Sequence, residues 1–361
     1  MISTTPSQRV MLLMRFPELA DFARSAARLH PRPGSPTPYD SSVGGELLWP
    51  ADEARPRCTQ PHTTQTVEVV PVADDEAHRR HEEEMGHRRS SLLQLEALGA
   101  QVPVALLASA RESLARAEAE PLALMQRQVR SISFEEPVVM APVLQLFAKD
   151  APGIDFPDGT DLLQILWCPA WHAGRPGPRP AAFWRTAGDV TTPLQAAPVL
   201  NHVYKDNWVP RPCTVHPEEL VEYPPVCTLD GAPDAHLLGM LPAPLEARIR
   251  SWDSGLPEDL SYATLAHAPG WKVGGWEYSW PDTDPLTSCE CGAPMRPLLE
   301  TYSNEELGGL WTPNSAPPFT WGDPGNWQDQ QPTGVSIARN GATWIRVCTT
   351  EPRHPLDFGL F

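Results

Sequence analysis

The residues of this chain best suited to chemistry are its 7 Cys and 11 His. Cys289-Glu-Cys291-Gly292 has the form of half a zinc knuckle: two thiolates one residue apart, followed by a glycine that lets backbone amides turn toward the sulfurs. A closed zinc site takes four ligands. Two Cys-x-x-x-His pairs, Cys58 with His62 and Cys168 with His172, are the candidates for the other half. No second closely spaced Cys pair exists, so the expectation is buried or half-exposed free thiols and no cofactor. Cys289, Cys291, Cys58 and His62 are the ligands a metal would use if one were bound.

Other patterns point to solvated or structural roles. In His78-Arg-Arg-His-Glu-Glu-Glu-Met-Gly-His87, Met85 stands where a zincin helix places its second His. An exposed helix face laced by Glu and Arg is expected there. There is no Gly-x-Ser-x-Gly elbow and no phosphate-loop frame around the Gly-Gly pairs at 44–45 and 274–275. Those pairs suit tight chain reversals packed under an indole. Glu218, Glu219 and Glu222 near His216 read as an exposed acidic turn. A hydrolase-like site near His172, Asp161 or Asp323 is the enzymatic alternative.

The C-terminal part is rich in Trp: Trp271, Trp276, Trp280, Trp311, Trp321 and Trp327. Indoles join a large apolar face to one N–H donor, and they anchor protein interfaces. The functional expectation is therefore a binding protein. Trp276, Trp280, Trp311, Trp321 and Trp327 would line a groove rimmed by Asp323, and the groove would hold a protein or peptide. A net charge of −17 suits a basic partner and disfavours nucleic acid and anionic membrane surfaces.

These groups need a scaffold, and the composition describes one. Pro (43) and Gly (24) are abundant, which argues for short strands and many turns. No apolar run is long enough to span a membrane and no export signal is read, so a cytoplasmic protein with reduced thiols is expected. The fold expectation is α+β, mainly antiparallel sheet, with an internal duplication, an N-terminal helix and a helical insertion. Four features recur in the same order. They are Val43-Gly-Gly and Val273-Gly-Gly, each followed by Trp-Pro; Cys58 and Cys289/Cys291; Pro142–Phe147 and Pro294–Leu299; and Ile165–Cys168 and Ile345–Cys348. The expected organisation is an N-terminal helix and turn (1–40), a first repeat (41–181) with two helices inserted at 74–130, a Pro-rich connector (182–260) and a second repeat (261–361). Residues 17–30 are read as helix.

Three stretches carry a resemblance. Val43 to Glu53, Gly159 to Pro169 and Gly270 to Trp276, together with Cys289 to Met295 and Trp321 to Gly325, resemble actinobacterial members of the YwqG-like family, a bacterial family of unknown function. The resemblance implies an α+β antiparallel fold and an immunity- or accessory-like role, and it carries no catalytic residues. Related sequences show Cys-x-x-Cys-Gly where this chain has Cys289-Glu-Cys291-Gly292.

Overall fold

The computed structural model describes residues 9–71, 74–98, 102–119, 125–172, 177–226, 240–257, 260–277, 288–305, 311, 331–337 and 342–360. Two six-stranded antiparallel sheets dominate. The first runs, in space, β10 (Arg179–Arg185), β9 (Leu162–Cys168), β8 (Ala141–Phe147), β3 (Ser42–Val43), β11 (Cys213–Thr214), β2 (Arg32–Pro33). The second runs β16 (Asp357–Leu360), β15 (Ala342–Cys348), β14 (Met295–Tyr302), β13 (Lys272–Gly274), β1 (Arg24–Arg28), β12 (Glu218–Glu222). The expected α+β class with mostly antiparallel sheet is what the chain adopts.

The two sheets correspond strand for strand, and the registers fix the correspondence residue by residue. Ser42 faces Gln145 and Val43 faces Leu144, as Lys272 faces Glu300 and Val273 faces Leu299. Pro142 faces Leu166, as Pro297 faces Arg346, and a bulge follows each proline. The counterpart of Pro142 is therefore Pro297, three residues beyond the Pro294 that the sequence alignment suggests. Gly44 (φ 64°) matches Gly274 (φ 74°), both left-handed. A Cβ on Gly44 would lie 2.5 Å from the Pro210 carbonyl oxygen, so only glycine lets the backbones meet there.

The halves are interlocked. Arg24 to Arg28 pair with Glu222 to Glu218 in the second sheet, and Arg32 and Pro33 pair with Thr214 and Cys213 in the first. The same pairing offset holds on both sides of an interruption at residues 29–31 and 215–217, so segments 24–33 and 213–222 form an antiparallel ribbon that crosses from sheet to sheet. His30 sits at the crossing with φ 45° and is buried against Glu218 at 3.0 Å. Each half's leader thus supplies an inner strand to the other half's sheet.

Two expectations fail here for one reason. Residues 17–30 form a 3-10 turn (Pro17–Phe22) and then strand β1. Leu19, Ala26 and Leu29 are buried while Phe22 is half-buried and Ala23 exposed, so the helix-like spacing of these apolar residues marks no single buried face. Segment 182–260 is no mere connector, because it supplies most of β10 and all of β11 and β12. Glu218 and Glu222 are buried in β12, not on an exposed turn.

Inner-face side chains of both sheets meet in one core. Leu163, Ile165 and Trp167 of β9 alternate into it, as do Ile345 and Val347 of β15, with Val43 and Val273 opposite. Helix α4 spans Ala243–Asp253. It packs with α1 (Val10–Arg15), the 3-10 turn and α5 (Tyr262–Ala266) around Leu12, Phe16, Ile249 and Tyr262. Residues 63–133 form a separate compact unit. In it, a ribbon of β5 (His62–Pro71) and β6 (Met125–Phe134) leads to α2 (Asp74–Ala97) and α3 (Val104–Ala119). Exposed ion pairs Arg89–Glu118 and Arg111–Glu96 join the two helices.

Candidate metal centres

The first half gathers Cys58, His62, Cys168 and His172, all buried, with ligand atoms within 4.8 Å of one another. Cys168 ends β9, next to the edge strand β10, on its outer face, and the chain turns back to present His172 four residues on. Cys58 ends β4 (Arg57–Cys58), which pairs with β7 (Val138–Val139), and His62 opens β5. Cys58 Sγ lies 3.4 Å from His172 Nε2, and Cys168 Sγ lies 3.5 Å from His62 Nε2. Zn–S and Zn–N bonds of about 2.3 and 2.05 Å at tetrahedral angles give S···N edges of about 3.6 Å. Both contacts are therefore within 0.2 Å of what a shared ion requires. The His62 ring stacks on Phe134 (centroids 5.1 Å) and lies 4.9 Å from the ring of His172. Packing fixes these ligands before any ion arrives.

The second half gathers Cys289, Cys291, Cys348 and His354, again within 4.8 Å. Cys348 ends β15 as Cys168 ends β9. Cys289 and Cys291 lie on a tight turn closed by Gly292 N–H donating to the Cys289 carbonyl at 2.7 Å, with Gly292 at φ 83°. Cys289 Sγ is 3.4 Å from His354 Nδ1, and Cys291 Sγ is 3.6 Å from Cys348 Sγ. A tetrahedral zinc places two thiolates about 3.8 Å apart, whereas a disulfide needs about 2.05 Å. Met140 packs in the cluster around Cys58 and Cys168, and Met295 in the one around Cys289 and Cys348.

Electrostatics already favour one thiolate at each centre. The Cys58 thiol is pushed down by its hydrogen bond from Cys168, aided by His172, the Gln60 amide and His62. The Cys168 thiol is correspondingly pushed up by Cys58 and by burial. Cys348 is pulled down to about 6, first by the Glu351 amide and then by Thr350, His354 and Cys291. Thiolate is the form that ligates a metal.

The expectation of metal-free thiols assumed a missing fourth ligand, and the fold overturns that premise. The two Cys-x-x-x-His pairs complete each other instead of completing Cys289 and Cys291. The latter are completed by Cys348 and by His354, which the sequence reading missed. The usable signal was the duplication itself: once Cys348 is matched to Cys168, a His a few residues downstream is the position to seek.

The other candidates fare differently. Trp276 and Trp311 are buried, at 8% and 3% exposure, so neither lines a groove. Trp276 Nε1–H donates to the Phe22 carbonyl and the Arg24 guanidinium stacks 3.4 Å from its ring, while Trp311 Nε1–H donates to the Thr264 carbonyl. The crossing ribbon and the helical cap cover them. Trp280, Trp321, Trp327 and Asp323 lie outside the described residues. The hydrolase candidates take separate tasks: His172 faces Cys58, and Asp161 accepts the Ala187 N–H.

A second titratable cluster is closed to solvent. Lys272 Nζ donates to Glu222 (2.9 and 3.1 Å) and to the Trp276 carbonyl (2.9 Å), and lies 3.1 Å from Glu300 Oε2. Burial pushes the neighbouring His267 down to about 4. Burial likewise raises Glu277 to about 7, against its bidentate partner Arg346. The pocket lined by Trp167, Trp344, Phe358 and Leu360 has a cavity volume of about 10 Å³, room for about one water and no ligand.

No protein-family model matches the chain, and no curated protein sequence matches it.

Proposed function

We propose that this chain is a non-catalytic binding protein whose two sheets are each clamped by one four-coordinate zinc. The carrying observation is the pair of closed ligand sets at equivalent ends of β9 and β15. A catalytic zinc keeps a position open for water or substrate, whereas a structural one is surrounded by four protein ligands. Cys2His2 and Cys3His are both ordinary structural sets, and sulfur-rich donors favour zinc over magnesium, calcium or manganese. Each ion would tie the end of β9 or β15 to a segment distant in the chain.

The partner in this reading is a protein or peptide, and the net charge of −17 suits a basic one. Trp280, Trp321 and Trp327 with Asp323 stay in the proposal as anchors, while Trp276 and Trp311 leave it. The likeness to YwqG-like sequences fits an accessory role of this kind. Elemental analysis of the purified full chain tests the zinc reading. We expect two zinc ions per chain, falling to one in Cys168→Ser and to one in Cys348→Ser. A chain that stays metal-free after exposure to zinc at neutral pH overturns it.

A further inference from the structure

The two centres share a position in the fold but not an environment. All four ligands of the first are buried, whereas in the second Cys291 is exposed and His354 half-buried. The first pairs each sulfur with an imidazole. The second sets two sulfurs, Cys291 and Cys348, side by side at 3.6 Å. A Cβ built on Gly292 meets nothing within 4 Å, so open space adjoins the turn that carries Cys289 and Cys291. At the first centre, Phe134, Met140 and Leu166 close over the cysteines.

Resting on the zinc reading above, we propose that the second centre is a redox-labile zinc site. A hydroperoxide joins Cys291 to Cys348 and expels the second zinc, while the first zinc stays. The exposed Cys291 thiolate attacks the outer oxygen of the hydroperoxide. The O–O bond breaks, an alkoxide or hydroxide leaves and takes a proton from solvent to become an alcohol or water, and Cys291 becomes a sulfenic acid. The Cys348 thiolate, already in contact, attacks that sulfur. The S–S bond forms and hydroxide departs, taking up a proton as water. Two thiolates have lost two electrons and the peroxide has gained them. Zinc keeps only Cys289 and His354 of its four ligands and dissociates, and a dithiol reductant reverses the step. The same chemistry at Cys58 and Cys168 is blocked because no oxidant reaches a buried sulfur.

The test uses the full chain loaded with zinc and counted by elemental analysis before oxidation. Hydrogen peroxide is added with a chromogenic zinc chelator, and peptide mass mapping follows. We expect one of two zinc ions to be released at least 10-fold faster than the other. A Cys291–Cys348 cross-link, two hydrogens lighter than the free peptides, should rise in step with it. Cys291→Ser, a change on an exposed turn, should abolish that cross-link. Release of both ions at similar rates, or a Cys58–Cys168 cross-link forming first, overturns the inference and leaves the zinc reading standing. A count of no zinc before oxidation overturns the zinc reading itself, so the two failures are told apart.

Discussion

Replacing Lys272 by Met isolates the buried charge cluster of the second sheet. Lys272 is fully buried between Glu222 and Glu300, which are 0% and 2% exposed. Met keeps the chain length and removes the ammonium, so two carboxylates lose their shared cation. Glu222 retains the Ala268 and Trp276 amides, both at 2.8 Å, and Glu300 retains the Tyr302 hydroxyl at 2.8 Å. Breaking a buried pair from one side costs about 3–5 kcal/mol. We expect a loss in that range at pH 8, read by urea unfolding of the zinc-saturated protein. The loss should shrink toward pH 5, because a protonated carboxyl no longer leaves an uncompensated charge. The first half suggests the rescue: its residues at the places of Lys272 and Glu300 are Ser42 and Gln145, and the Gln145 amide donates to the Pro38 and Asp40 carbonyls. Adding Glu300→Gln to Lys272→Met should recover about 1–3 kcal/mol, since a neutral amide costs less to bury than an unpaired carboxylate. A loss below 1 kcal/mol, or one that does not change with pH, would refute the view of this cluster as ionised and mutually dependent.

Trp276→Ala should destabilise the fold by about 3–5 kcal/mol with no separate binding phenotype, which denaturant midpoints of the purified variant will show. The imidazole of His267, held near 4 by burial and then by Lys272, is neutral in the folded state and charges more readily when unfolded. Its contribution, about 3 kcal/mol, is therefore complete above the unfolded value near 6.5 and lost as pH falls toward 4. Stability curves of wild type and His267→Gln should converge across that window, and curves that stay parallel would remove His267 as the source. Excising residues 72–124 and closing β5 onto β6 with a short turn should leave a cooperative melt and both zinc ions. That expectation rests on 63–133 forming its own compact unit, and loss of the first zinc would contradict it.

The sequence by itself determined the α+β class, the apolar runs at 142–147 and 165–168, the two helices inserted within 74–130 and the fact of a repeat. These depend on local signals: apolar runs bounded by turn residues, composition, and order along the chain. It could not place the N-terminal segment, because only Ala26, Ala27 and Arg28 of that strand are buried, a run too short and continuous to carry a period that separates strand from helix. Nor could it see the exchanged strands, since the ribbon of 24–33 with 213–222 joins residues some 190 apart in the chain. The metal centres show the same division. Cysteine and histidine types and their short spacings were legible, and three of the four half-sites were found; the Cys348 and His354 half was not. Which half completes which was decided only by tertiary structure, where the outer ends of β9 and β15 bring distant loops onto one sulfur each.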